Sequence, residues 1–206
     1  MNIVRTLNMD SPEHATLGQF RDGTDGLFTV AFAEGPAGGC GAGSLIAHDL
    51  TDGSCRTLVG EDNGYPYPPS DTHMSAIAHQ NPGWIAVSGI GVANWGDTDN
   101  AGQELLDNEL LLVDSAPGGQ VCRVGHHRAY GDGGAFGYWS EPHVNISPSG
   151  TRLLFASDWQ GGTSVDTYVV ELPAYDSPVP LPTPAPGNTP MPTNTPPPPT
   201  ATPPTT

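Results

Sequence analysis

Short apolar runs punctuated by Gly, Pro, Asn and Asp fill this chain, and they recur. Alternation of apolar and polar positions predicts strands over 142–147 and 152–157. Pro148-Ser149-Gly150 joins them. Pro suits the first central position of a tight turn, and Gly accepts the positive φ that closes it. The same unit occurs twice more, from Glu13 and from Thr72. Each copy opens with His, any residue, then Thr, Ser or Asn: His14/Thr16, His73/Ser75 and His143/Asn145. A Gly-containing turn and an apolar strand follow in each. No stretch of ten or more residues has helical periodicity.

The first full copy predicts strands at 14–17, 27–33, 44–50 and 54–59, the last two joined by the Asp52-Gly53 hairpin. The second predicts 74–78, 84–89, 109–114 and 121–124, with Pro117-Gly118-Gly119 turning into its last strand. The third predicts 144–147, 152–157 and 167–172, after which Pro-rich sequence begins. Residues 2–8 share Arg-Thr-Leu with strand 54–59 (Arg5-Thr6-Leu7, Arg56-Thr57-Leu58), so they read as the outer strand of an incomplete unit.

Antiparallel four-strand units at a spacing of roughly 50–65 residues read as β-propeller blades. The expected fold is therefore all-β, with about three blades at 13–60, 71–125 and 141–173 inside a domain of residues 1–175. Closed rings take about four to eight blades. The expectation is a portion of a larger propeller, whose open sheet edges invite association. Residues 176–206 are almost all Pro, Thr and small residues, and read as a disordered linker or stalk.

Charge narrows the partners. Net charge is −16, and all six basic residues are Arg. Such a surface cannot neutralise a row of phosphates, so no nucleic-acid partner is expected. An anionic membrane surface is disfavoured in the same way, unless a bound cation reverses the charge locally. No apolar run is long enough to span a bilayer, and no secretory signal is read at the start. The tail composition nevertheless resembles that of tethers outside bacterial cells, so the expected location is secreted or cell-surface.

Three cysteines leave an odd count. Cys55 and Cys122 hold the same place in successive units, each followed by Arg, which argues for small buried strand residues. The alternative is a Cys40–Cys55 disulfide. It requires a folded-back loop, because the hairpin register puts Asp49 opposite Cys55.

Candidate chemistry lies in two places. Innermost strands of a propeller line its channel, so His14, His73 and His143 recur around it. They either cap their blades or converge with carboxylates as metal or substrate ligands. The second place is the stretch His126-His127-Arg128, followed by a connection rich in Gly and aromatics that ends at Tyr138, Trp139, Glu141 and His143. Aromatic faces beside polar groups suit a sugar ring; the alternative is packing against the next sheet. His126, His127, Arg128, Tyr138 and Trp139 are the candidate ligand-binding residues. An acidic loop matches a calcium-binding pattern at Asp97, Asp99 and Gly102. It fails at Ala101 and Asn108, and reads as a solvated connection. The run 38–43 is Gly-rich but leads into no helix, so it is a loop rather than a phosphate cradle.

The run 121–173, containing YWSEPHVNISPSGTRLLFASDW and a closing TYVVELP, resembles the last blade of oligogalacturonate-lyase-type propellers. More broadly it resembles TolB-like (PD40-type) repeats, whose Ser-Pro-Asp-Gly turn corresponds to Ser147-Pro148-Ser149-Gly150. In those lyases a Gln-x-x-His-x-His pattern holds a manganese ion. The positions here are Tyr138, Glu141 and His143, so the resemblance implies a metal set built on His143 and Glu141, with His73 beside them. Two functions follow. One is an extracellular binding or scaffolding module for carbohydrate or a protein, with no cofactor expected. The other is a metal-assisted polysaccharide lyase, or a degenerate relative, using Mn²⁺ or Ca²⁺ held by His143, Glu141, His73 and one of His126 or His127.

Overall fold

A computed structural model of the chain describes residues 3, 6–7, 12–31, 40, 44–60, 63–65, 73–89, 106–129 and 137–173. All lie in a unit spanning Met1–Pro173; the second unit, Ala174–Thr206, and with it the expected tail, lies outside the described residues. The described residues form three antiparallel sheets and no α-helix. The first sheet is β1 (Pro12–Gln19), β2 (Asp25–Ala31), β3 (Ser44–Asp49) and β4 (Cys55–Val59), in that order. The second is β5 (His73–Ser75), β6 (Trp84–Ser88), β7 (Glu109–Asp114) and β8 (Val121–His126). The third is β9 (Asn145–Ile146), β10 (Arg152–Ser157) and β11 (Asp166–Glu171). Strands β7 and β10 fall on the residues that the apolar run and the alternation predict. The outer strand expected over 2–8 lies mostly outside the described residues, and Ile3, Thr6 and Leu7, which are described, belong to no strand.

The middle sheet shows why the pattern yields stacked blades. Leu110-Leu111-Leu112-Val113 is apolar without a break, as befits a strand covered on both faces. Successive strand residues point to opposite faces. Leu111 and Val113 of β7, with Ile85 and Val87 of β6, meet Phe28, Val30, Leu45, Ala47 and Leu58 of the first sheet. Leu110, Leu112 and Ala86 meet Ile146, Leu153 and Phe155 of the third. Each fully buried side chain of this size contributes about 1.5–3 kcal/mol. The innermost strands also converge: β5 touches both β1 and β9.

Polar seams fix the offset between sheets. Arg21 donates to both carboxylate oxygens of Asp114, at 3.0 and 2.8 Å, and Arg56 donates twice to the Ser115 carbonyl. The Pro148-Ser149 turn docks on the middle sheet, its carbonyls accepting from Gln80 N–H and the Asn81 side-chain amide. Gly83 sits at φ 90° against Arg21, where a Cβ would collide with the Arg21 side chain.

The cysteine expectation needs correction. Cys40 and Cys55 form a disulfide, and Cys122 is free, so the two strand cysteines are not equivalent. The register places His48 opposite Cys55, not Asp49. The bridge therefore joins no facing strand pair, and it ties Cys40, four residues before β3, to the first residue of β4. Closing a loop with a sequence separation of 15 stabilises by about 3 kcal/mol through the unfolded chain. Reduction, or replacing both Cys40 and Cys55 by Ser, is expected to lower stability by about that amount, read from urea midpoints of the oxidised and reduced protein.

Candidate functional site

Strand direction collects the candidate residues at one end of the sheets. β1 and β5 open, and β9 is entered, from the same end, and β10 leaves toward it. His14 lies in a β-bulge of β1 with φ 51°, and His143, two residues before β9, has φ 44°. At His14 the bulge turns the side chain away from the regular alternation of β1. His73 is the first residue of β5. The three rings form a pile: His14 lies on His73 with centroids 4.3 Å apart, and His73 on His143 at 3.9 Å. The three repeated histidines thus meet where the first strands of the three sheets come together.

Glu141 reaches the pile from the side. A short 3-10 turn (Gly137–Ser140) delivers it, its N–H donating to the Tyr138 carbonyl. Its side chain is only 2% exposed. Oε2 lies 3.6 Å from His73 Nε2 and 3.7 Å from His143 Nε2. The ligand-capable atoms of His73, Glu141 and His143 all lie within 4.8 Å of one another. Separations of 3.6–3.7 Å are too long for hydrogen bonds. They are close to the roughly 3.4 Å between neighbouring ligands about 2.1 Å from a tetrahedral ion. Two imidazoles and one carboxylate also form a donor set suited to a divalent transition metal, better than to Ca²⁺, which prefers all-oxygen ligation.

Protonation is compatible with that use. Burial, then the neighbouring His143 and His14 rings, push His73 from 6.5 down to about 3. Burial also lowers His143, against a hydrogen bond to the Tyr138 backbone that raises it. Both rings are neutral at pH 7 and keep a lone pair.

Aromatic rings border the cluster. Tyr138 meets His143 edge-on at 5.0 Å and Trp139 at 5.7 Å. Trp139 is 78% exposed, an unusual placement for so large a ring.

The HHR stretch divides. His126 points to Glu109 (3.7 Å), which Arg123 also grips through two nitrogens. His127 has no exposure: its Nδ1 accepts from Ala129 N–H at 3.0 Å, and its Nε2 faces the Gly89 carbonyl at 2.7 Å. Neither ring joins His73, Glu141 and His143. The expectation that His127 contacts a ligand is therefore corrected, since backbone groups occupy both its nitrogens. Arg128 is exposed and lies over Trp159, 5.6 Å from the ring centroid. Trp159 was not among the sequence candidates. Its signal was the Trp-Gln-Gly-Gly turn after a predicted strand. Asp97, Asp99, Gly102 and, apart from Cys40, the Gly-rich run 38–43 lie outside the described residues.

No family model matches the chain, and no curated protein matches it. Among the solved structures that resemble it are the following two. An oligogalacturonate lyase from Vibrio parahaemolyticus is 13% identical with a TM-score of 0.47, over 79% of this chain and 36% of that one. A TolB candidate from Agrobacterium tumefaciens is 14% identical with a TM-score of 0.42, over 78% of this chain and 48% of that one. The chain thus spans between a third and a half of the structures it matches. At this level the fold assignment stands on the sheets themselves.

Proposed function

We propose that this chain is a propeller module that binds carbohydrate at the sheet end carrying His73, Glu141 and His143, with a divalent cation held by those three residues. The convergence of two neutral imidazoles and a buried carboxylate carries the reading. Exposed Trp139, with Tyr138 beside it, supplies the flat apolar surface a sugar ring stacks on. A cation gives an acidic protein a local positive centre for polar or acidic sugars. The Cys40–Cys55 disulfide supports a location outside the reducing cytosol, secreted or on the cell surface. Among the described residues the outer edge of β11 has no strand partner, which supports association through that edge.

The test is calorimetric titration with neutral and acidic oligosaccharides, in Mn²⁺ and in a chelator. Saturable binding that weakens about tenfold or more in the chelator and in Trp139→Ala is expected; a stacked aromatic is worth on the order of 0.5–1.5 kcal/mol beyond its area. Failure of every saccharide to bind with Mn²⁺ present would remove the reading. The metal-assisted lyase is the second reading, favoured by the same cluster. In that case the ion, when bound, would polarise a carboxylate of the substrate and acidify its neighbouring carbon. His73, Glu141 and His143 would hold the ion, and Tyr138 with Trp139 would orient the ring. Appearance of unsaturated product from an oligouronide with Mn²⁺ would establish it, and its absence alongside saccharide binding would leave a binding module.

A further inference from the structure

Five arginines are described in side-chain detail, and three of them (Arg21, Arg123 and Arg152) pair with a carboxylate: Asp114, Glu109 and Glu171. Arg56 is spent on the Ser115 carbonyl and the Phe20 ring. Arg128 differs. Its guanidinium lies over Trp159, and Nη1 donates to Gln160 Oε1 at 3.3 Å. Among the described residues no carboxylate lies within ion-pair distance of it. The residue is exposed and Gln160 takes one of its five N–H donors, so the planar fork that binds an oxyanion bidentately keeps donors to offer.

This placement is built rather than incidental. Arg128, Trp159 and Gln160 all have positive φ (57°, 53° and 65°), a region that non-glycine residues seldom occupy. The Gln160 N–H donates to the Arg128 carbonyl at 2.7 Å and locks the two loops together. Behind Trp159 lies Tyr168 at 5.0 Å, and behind that Phe155 at 5.5 Å, so a column of rings anchors the platform to β10 and β11. Strained backbone held in place by its surroundings is concentrated at binding sites.

Arg128 is also on the right face. Trp159 follows the end of β10 that lies beside His143's entry to β9, and Tyr168 is on β11. Arg128 follows β8, three strand spacings from β5 and its His73, or about 14 Å, within reach of an oligosaccharide extended outward from that end.

We propose that Arg128, held on Trp159 and Gln160, is a separate anion-recognition subsite that takes a carboxylate or sulfate group on the outer residue of the saccharide. The inference rests on the carbohydrate reading and assigns ligand charge to one residue. The experiment compares oligogalacturonide, its methyl ester and a sulfated oligosaccharide against the wild-type chain, Arg128→Ala and Arg128→Lys, with and without Mn²⁺. The wild type should bind an anionic form about tenfold or more tighter than the ester. Arg128→Ala should lose that preference, and Arg128→Lys should keep part of it. The form whose preference collapses, carboxylated or sulfated, identifies the anion. An anion preference unaltered in Arg128→Ala would overturn this inference alone. Binding of no saccharide by the wild type would remove the carbohydrate reading and this inference with it.

Discussion

Replacing Glu141 by Gln is expected to weaken Mn²⁺ binding by about 100-fold or more. Loss of an outer partner of a metal ligand costs about 10–100-fold, and Glu141 would be a ligand itself. It brings the one formal negative charge of the trio, because His73 and His143 are neutral at pH 7. Gln preserves the volume, so the packing of this 2%-exposed side chain should survive. His14 offers the contrast. It lies on His73 by ring stacking but is not one of the three converging ligands, so His14→Ala should cost less than about tenfold. Calorimetry and metal content after dialysis read both variants. Thermal unfolding gives an independent check, since a ligand at about 100 times its Kd stabilises by about 2.7 kcal/mol. That Mn²⁺-dependent rise should be present in the wild type and fall to about 0.4 kcal/mol or less in Glu141→Gln. Equal Mn²⁺ affinity in both would make the stacked histidines a purely structural post.

Local pattern reached the sheets because each depends on local signals. The unbroken apolar run of β7 and the alternation of β10 predict their spans, and Gly150 and Gly53 occupy the positive-φ turn positions assigned to them. The histidine convergence was legible because repetition gives His14, His73 and His143 equivalent places, and sheet stacking then brings them together. What escaped depends on contacts distant in sequence. From sequence the Cys40–Cys55 bridge is only the alternative reading, because no strand register dictates the path of the connection that closes it. The doublet His126-His127 has one chemical identity but two fates. Strand alternation turns the first outward to Glu109, while the second leaves the strand and is enclosed. Arg128 was legible as a candidate, but its footing on Trp159 follows from two loops meeting in left-handed conformations.

His127 carries the other large effect. Nδ1 accepts from Ala129 N–H, so the ring proton is on Nε2 and is donated to the Gly89 carbonyl. The neutral ring therefore satisfies two buried backbone groups at once. Truncation to Ala leaves both without partners and opens a void, which should cost about 3 kcal/mol or more. Acid attacks the same arrangement, because a second proton would fall on Nδ1, against the Ala129 N–H. Burial pushes His127 from 6.5 down to about 4, opposed by the Gly89 hydrogen bond. Between those values the unfolded chain binds a proton that the folded chain refuses, so stability falls as pH drops from about 6.5 to 4 and levels off below. At about 1.36 kcal/mol per unit, His127 accounts for about 3 kcal/mol across that window. Urea midpoints at pH 7.5, 6 and 5 should show a steeper acid loss in the wild type than in His127→Ala, since other lowered histidines contribute equally to both. Parallel pH slopes would mean that His127 is charged inside the fold, and that the two backbone bonds do not hold it neutral.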